Sequence, residues 1–412
     1  MKWNEKVWLC LKRWMIQLVV VSLCLCACAK EAGSISTSNL PPSDGTKVNQ
    51  ARCGDGICDG PENPRSCPAD CEVKDISEGS PEVVNTPDVD LPNEGIPPLY
   101  FFYAIHVHAS GDYLPYAGPA MEEIQPEIAE NMIAAVEDLA EILNRYGVKG
   151  TWEALPSVAT GLCNYQGENH IFRTLINQGH EVGAHAHRID DIGNAYDALV
   201  EECGITPKTN SGFIAQISSY EAAQAQSAMS LAIQTSLNFG MRIGTTNLSP
   251  GGGKNPFTEL CESRIGPYND MWMQTGNLMF PWYPDYTLGD ICAQDHEGDM
   301  LLVDHVSIEW ILLPGEGDVP DILTEDHFNQ LQGWFESALS FMEDKEPTHL
   351  AVWGFVTHIT EYTKGSRAEH PLDPGALAAL DQFLAYVSSK AEAGRVIFAT
   401  VEEIADLVAQ DP

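Results

Sequence analysis

Apolar and polar positions recur with two different periods from residue 98 onward. Short apolar runs predict strands at 99–108, 148–153 and 181–185, and an apolar residue at every third or fourth position predicts a helix over 121–146. Similar patterns predict strands at 211–215, 241–246, 273–279, 300–305, 350–357 and 395–399, and helices at 168–178, 218–238, 325–343 and 374–391. Regular alternation of strand and helix is typical of a parallel sheet. Residues 98–412 are therefore predicted to form an α/β domain, most simply a (β/α) barrel of seven or eight strands.

The N-terminal segment has a different pattern. Residues 1–27 combine a basic start with an apolar run too short to cross a bilayer, which predicts a secretory signal peptide. Its end, Leu25 to Cys28, resembles the lipobox of bacterial lipoproteins. The resemblance implies cleavage before Cys28, a lipid on that cysteine, and attachment to the outer membrane or cell surface. The alternative is an ordinary signal peptide with an incidental cysteine.

Two linkers and a cysteine-rich module are predicted next. Residues 28–50 have the composition of a flexible tether, and residues 73–97 that of an acidic linker. Residues 51–72 are too few to bury a core, so cross-links must supply their order. Because an exported chain meets an oxidising environment, two disulfides are favoured over a zinc site. Nearby carboxylates leave Ca²⁺ binding open, although solvated turn residues explain them as well. The cysteines of this module are Cys53, Cys58, Cys67 and Cys71.

Four more cysteines lie in the predicted barrel, and their order favours pairing Cys163 with Cys203 and Cys261 with Cys292. The formal net charge is −37. Such a surface repels polyanions and makes nucleic acid a poor partner, so a neutral or cationic substrate is favoured. A solvated acidic surface that keeps the protein soluble is the alternative explanation of most of these charges.

Two pairs of histidines stand at predicted strand ends. His106 and His108 alternate with apolar residues, and His185 and His187 repeat the arrangement. Side chains at positions i and i+2 of a strand leave on the same face. Since imidazole nitrogens bind Zn²⁺ and similar ions and a carboxylate completes such sets, the pairs predict a shared metal site. Hydrogen-bonded structural histidines are the alternative.

Several stretches resemble the polysaccharide deacetylase (NodB homology) superfamily. They are Gly147 to Trp152, Leu175 to His185, Trp353 to His358, and Phe398 to Ile404. The resemblance implies a barrel of the glycoside hydrolase and deacetylase type and a divalent metal at the strand ends. It also implies that the barrel is irregular and that the protein removes acetyl groups from a carbohydrate polymer.

Residue roles follow from the same resemblance. The implied metal ligands are His185, His187 and either His108 or Asp112. Asp112, or failing it His106, would accept the proton of the attacking water. His358 would donate a proton to the leaving group, unless it is a structural histidine.

Other polar and aromatic residues are predicted to bind substrate or to serve competing functions. Glu153 and Asp304 end predicted strands and would line the same cavity, where they would also serve as the carboxylate pair of a glycosidase. Trp272, Trp282 and Tyr283 would form a wall that stacks on sugar rings, or else a plain core cluster. A third hypothesis is a carbohydrate-binding lipoprotein without catalytic activity.

Overall fold

A computed structural model of the chain describes residues 96–108, 126–212, 222–246, 279–286, 290–294, 298–308, 322–363 and 371–410. The predicted signal peptide, tether, cysteine-rich module and nearly all of the acidic linker lie outside these ranges. Asp112, Trp272 and Cys261 also lie outside them. In the described part of the chain, no helix combines the length and the apolar character needed to cross a membrane.

Strands and helices alternate as predicted. The strands are β1 (Leu99–Val107), β2 (Gly150–Ala154), β3 (Glu181–His185), β4 (Thr209–Ser211), β5 (Ile243–Thr246), β6 (Pro284–Asp285), β7 (Asp290–Gln294), β8 (Leu301–Asp304), β9 (Val306–Ser307), β10 (Val352–His358) and β11 (Val396–Phe398). The α-helices are α1 (Pro126–Arg145), α2 (Pro156–Gln166), α3 (Ile171–Asn177), α4 (Asp191–Asp197), α5 (Ala222–Asn238), α6 (Glu325–Lys345), α7 (Pro374–Glu392) and α8 (Val401–Gln410).

The sheet is parallel and nearly closed. Its strand order is β8-β5-β4-β3-β2-β1-β10-β9, with β11 paired to β1 beside this path, and every pairing within it is parallel. The two ends of the order, β8 and β9, are consecutive in the chain and separated by His305 alone. The sheet is therefore an irregular eight-stranded α/β barrel, which confirms the predicted fold class. The hairpin of β6 and β7 forms a separate antiparallel sheet.

Local sequence explains where the helices begin and end. In α1 the predicted apolar stripe is buried at Met132, Val136, Leu139 and Leu143. The chain then turns at Gly147, where φ is +67°, a conformation that glycine adopts without steric cost. Asp373 caps α7 as predicted, because its carboxylate accepts hydrogen bonds from the backbone N–H groups of residues 375 and 376.

Alternation along the strands divides the core into two layers. In β1, Phe101, Tyr103 and Ile105 belong to the larger layer against the helices, whereas Phe102 and Ala104 belong to a smaller layer inside the barrel. Continuing this alternation places residues 106 and 108 on the interior side at the carboxyl end of β1. Active sites of parallel barrels lie at this end.

The opposite end of the barrel is closed by α8. The carboxylate of Glu181, at the start of β3, accepts hydrogen bonds from the hydroxyls of Thr151 and Thr209 and from the backbone N–H of Glu402. Burial raises the pKa of Glu181, and these hydrogen bonds lower it. Helix α8 begins here, and the backbone N–H groups of its first turn have no acceptor within the helix. The carboxylate of Glu181 accepts a hydrogen bond from one of them. Glu181 is a structural residue at the floor of the barrel.

Candidate functional site

Strand register brings the predicted histidines together. In β1, His106 stands opposite Glu153 of β2 on one side and opposite His358 of β10 on the other. His185 ends β3, the next strand beyond β2. The interior faces of four adjacent strands thus carry their polar side chains at one end of the barrel.

His106 has neighbours at both ring nitrogens. Its Nδ1 lies 3.1 Å from Nε2 of His358. Its Nε2 approaches Oε2 of Glu153 to 2.9 Å, yet the angles are not those of a hydrogen bond and neither atom has a hydrogen-bond partner. Both residues are buried, His106 with 6 % and Glu153 with 0 % of its surface exposed. Two buried polar atoms therefore face each other without satisfying each other.

Glu153 is held through its other oxygen. The hydroxyl of Thr245, on β5, donates a 2.7 Å hydrogen bond to Oε1. Burial raises the pKa of Glu153 to about 8, whereas hydrogen bonds from Thr245 and Ser211 lower it. Gly183 leaves room for this side chain, since a Cβ there would lie 3.3 Å from Cγ of Glu153.

The ring of His185 is positioned by the hydroxyl of Ser211 and by close packing against Gly212. Its Nδ1 lies 2.7 Å from Oγ of Ser211, and its Nε2 is buried without a hydrogen-bond partner. The ring packs against Gly212, whose φ is +83° and whose added Cβ would lie 2.4 Å from Cε1 of His185. Its centroid is 3.9 Å from that of His106. The hydrogen bond and these two close contacts therefore restrict the orientation of the His185 ring.

His358 is held by a carboxylate. Its Nδ1 lies 2.9 Å from Oε1 of Glu361, and its backbone N–H donates to Oε2 of the same residue. Because a carboxylate accepts only, Nδ1 carries the proton and Nε2 faces the cluster. That nitrogen then accepts the hydrogen bond from Nδ1 of His106.

We call His106, His108, His185, His187, His358 and Glu153 the histidine cluster. Burial lowers the pKa of His106, His108 and His185 well below the ordinary value, and the neighbouring imidazoles lower it further. The same causes lower the pKa of His187 to about 4. These rings are neutral at physiological pH, the form that binds metal ions.

Donor atoms converge in three overlapping groups whose members lie within 4.8 Å of one another. One group is His108, His185 and His187, which is the predicted ligand set without Asp112. A second is His106, His108 and His358, and a third is His106, Glu153 and His185. Buried nitrogens without partners, among them Nε2 of His106, His108 and His185, are rare in folded proteins unless a ligand satisfies them. The donor set therefore fits a divalent metal such as Zn²⁺.

The other predicted site residues that the structure describes are Trp282, Tyr283 and Asp304, and none of them belongs to the cluster. Trp282 is 2 % exposed and belongs to the core on the helix side, in agreement with the core alternative rather than with a sugar-stacking wall. Tyr283 is half-buried against the interior layer. Asp304 follows the interior residue Val303, so alternation turns it to the other face of the sheet, where Thr246 donates to it. The structure therefore does not support the prediction that Glu153 and Asp304 line one cavity.

Two residues that position the cluster were not predicted. The predicted strand over 211–215 begins at Ser211, whereas β4 ends at that residue. The position of Ser211 at the carboxyl end of a strand was therefore not predictable from the pattern. Thr245 lies in a predicted strand, but a lone hydroxyl has no distinctive pattern. Both residues lie on the interior face at or next to the last residue of a strand. Correct strand ends would have identified them as candidates for the site.

One predicted disulfide is present among the described residues, joining Cys163 of α2 to Cys203. The other predicted bond involves Cys261, which lies outside the described ranges.

The protein is an α/β barrel that carries histidine and carboxylate metal donors at the carboxyl ends of its strands. No family model matches the chain, and no curated protein matches it significantly. Among solved structures, a protein from Mycobacterium smegmatis assigned as a polysaccharide deacetylase is 16 % identical, with 78 % of this chain and 93 % of that chain covered and a TM-score of 0.46. A family 4 carbohydrate esterase from Streptomyces lividans in complex with acetate is 11 % identical, with 72 % and 90 % covered and a TM-score of 0.30. A GH57-type branching enzyme from Pyrococcus horikoshii is 11 % identical, with 74 % and 70 % covered and a TM-score of 0.43. With identities and TM-scores this low, the chemistry has to come from this chain's own residues.

Proposed function

We propose that the protein is a metal-dependent hydrolase that removes acetyl groups from an extracellular polysaccharide. The observation that carries the proposal is the histidine cluster, in which buried neutral imidazoles present nitrogens without partners at the catalytic end of a barrel. A divalent ion bound there supplies a Lewis acid and an activated water.

The residues around the ion divide the remaining tasks. Glu361 holds Nδ1 of His358, so proton transfer to the leaving amine or alkoxide falls to Nε2, which would first take up a proton from solvent and release the hydrogen bond from His106. The proposed acceptor for the proton of the attacking water is Asp112, as the resemblance implies. Burial of the cluster excludes bulk water from the reacting groups.

The net charge of −37 supports an uncharged or cationic polymer as the substrate. Export and a lipid anchor at Cys28 are part of the proposal and rest on the sequence alone.

The test is acetate release by the purified protein from acetylated chitin oligomers and acetylated xylan, with zinc, cobalt or manganese added. We expect release to stop with a chelator and to return when the metal is restored. His185→Ala removes a nitrogen that belongs to two of the three converging groups and should abolish release. His170→Ala removes a buried histidine that is bonded to the backbone oxygen of Cys203 and should not. New reducing ends without acetate would identify a glycosidase instead. Sugar binding with neither product would identify a binding protein.

A further inference from the structure

Three donor atoms form a converging group that includes a carboxylate. They are Nε2 of His106, Nε2 of His185 and Oε2 of Glu153, and all three are buried without a hydrogen-bond partner. Leaving one such atom unsatisfied costs free energy. Nε2 of His106 and Oε2 of Glu153 are 2.9 Å apart, but the contact lacks the angles of a hydrogen bond. Three at one point indicate that a ligand satisfies them together.

The other polar atom of each of these side chains is already engaged. Nδ1 of His106 donates to His358, and Nδ1 of His185 lies 2.7 Å from Oγ of Ser211. Oε1 of Glu153 accepts from Thr245. Hydrogen bonds of this kind fix the tautomer of each imidazole and the direction of each ligand atom, which is how proteins orient metal ligands.

The competing group that shares His185 consists of His108, His185 and His187, and it supplies no carboxylate. The remaining group, His106, His108 and His358, supplies none either. Two imidazoles and one carboxylate offset part of the charge of a divalent ion and leave a position open for water, as in catalytic zinc sites. Nδ1 of His185 is held by Ser211, so only its Nε2 can bind a metal, and the two groups are exclusive alternatives.

We propose that His106, His185 and Glu153 are the primary metal ligands, an assignment that rests on the proposed metal-dependent function. Glu153 is then a ligand rather than a substrate-binding residue. His106 has both nitrogens occupied and is not the proton acceptor. His108 and His187 would then belong to the rest of the cluster, outside the primary ligand set.

Zinc affinity, measured on the purified protein by competition with a chromophoric chelator, tests the assignment. We expect Glu153→Gln to weaken binding by more than about 100-fold, which exceeds the usual 10-fold to 100-fold effect of removing a residue that only orients a ligand. The matched control is Glu181→Gln, since Glu181 is another buried carboxylate held by threonine hydroxyls, at the opposite end of the barrel. It should bind zinc like the wild type.

A second variant keeps the test decisive if Glu153→Gln does not fold. Thr245→Val removes the hydrogen bond to Oε1 and keeps the shape of the side chain, and should weaken zinc binding about 10-fold to 100-fold. Circular dichroism and a thermal melt verify that each variant is folded.

The possible outcomes separate the site from the reaction. Wild-type affinity in both Glu153→Gln and Thr245→Val, together with loss of affinity in His187→Ala, would overturn the assignment and identify the competing group. Acetate release by the wild type would still support the proposed function in that case. Zinc binding that depends on Glu153, without acetate release from any substrate, would support the site and overturn the function.

Discussion

Gly212 provides a direct test of how tightly His185 is positioned. Its φ of +83° is a conformation that an L-residue adopts at a cost of roughly 1–2 kcal/mol. The Cβ of an alanine there would lie 2.4 Å from Cε1 and 2.7 Å from Nδ1 of His185. Because ordinary contacts begin at 3.4 Å, the ring would have to retreat by about 1 Å. It cannot do so freely, since the ring of His106 lies 3.9 Å away, centroid to centroid.

Gly240→Ala is the matched control for Gly212→Ala. Gly240 has a φ of +79°, but a Cβ there would meet nothing within 4 Å. Alanine at either site also lowers the entropy of the unfolded chain, which offsets about 0.4–1 kcal/mol of the strain. We expect Gly240→Ala to lose about 1 kcal/mol of unfolding free energy. Gly212→Ala should lose roughly 2–4 kcal/mol, because steric overlap in a packed interior adds about 1–3 kcal/mol.

Denaturant unfolding and zinc affinity measure the two consequences separately. Gly212→Ala should weaken zinc binding at least about 10-fold through displacement of His185, whereas Gly240→Ala should leave it unchanged. Equal stability losses in the two variants, with wild-type zinc affinity in both, would refute the reasoning that Gly212 holds the ring in place.

Three further predictions concern other parts of the barrel. His358→Ala should weaken zinc binding about 10-fold to 100-fold and, at saturating zinc, slow acetate release about 10²-fold to 10⁴-fold; near wild-type turnover would make His358 structural. Burial lowers the pKa of His180 to about 4, so the unfolded state binds more protons below about pH 6.5 and stability should fall as the pH falls from there towards 4. His180→Asn, which keeps an acceptor for the backbone N–H of residue 150, should reduce the loss of unfolding free energy between pH 7 and 4.5, and an unchanged loss would contradict the assignment. Reduction of the bond between Cys163 and Cys203 should lower the unfolding free energy by about 2–4 kcal/mol, and alkylation of both thiols without prior reduction would show that the bond is absent.

The pattern of apolar residues predicted the barrel because the spacing along strands and the spacing along helices both reflect which side chains are buried. The stripe in α1 and the apolar runs of β1 and β10 face the core as expected. The pattern missed α2 and α4. Helix α2 begins with Pro156 and contains Gly161, and its apolar residues are mostly small, so its burial comes from packing against neighbours that the sequence does not reveal. Helix α4 is short and continues into a π-helical turn, which breaks the regular spacing.

The histidines of the site were predictable, but the way they combine was not. Spacing showed that His106 and His108 share a face, as do His185 and His187, because that depends on one strand at a time. Which atoms converge depends on register between strands. Glu153 is a lone carboxylate in the sequence, and its role as a ligand candidate follows only from its position opposite His106.

The position of Glu153 also depends on the absence of a side chain at Gly183 of β3. The interior residues of β3 are Glu181 at the floor, Gly183 in the middle and His185 at the rim. Gly183 stands opposite Glu153, and a larger side chain there would press against both Cγ of Glu153 and the backbone of Thr209. Because a shift of one residue in register turns every side chain to the other face, the same pairing that seats Glu153 over Gly183 also brings His185 to the interior. The carboxylate and the imidazole therefore reach one point through a single strand register, and the apolar layer beneath them fixes that register.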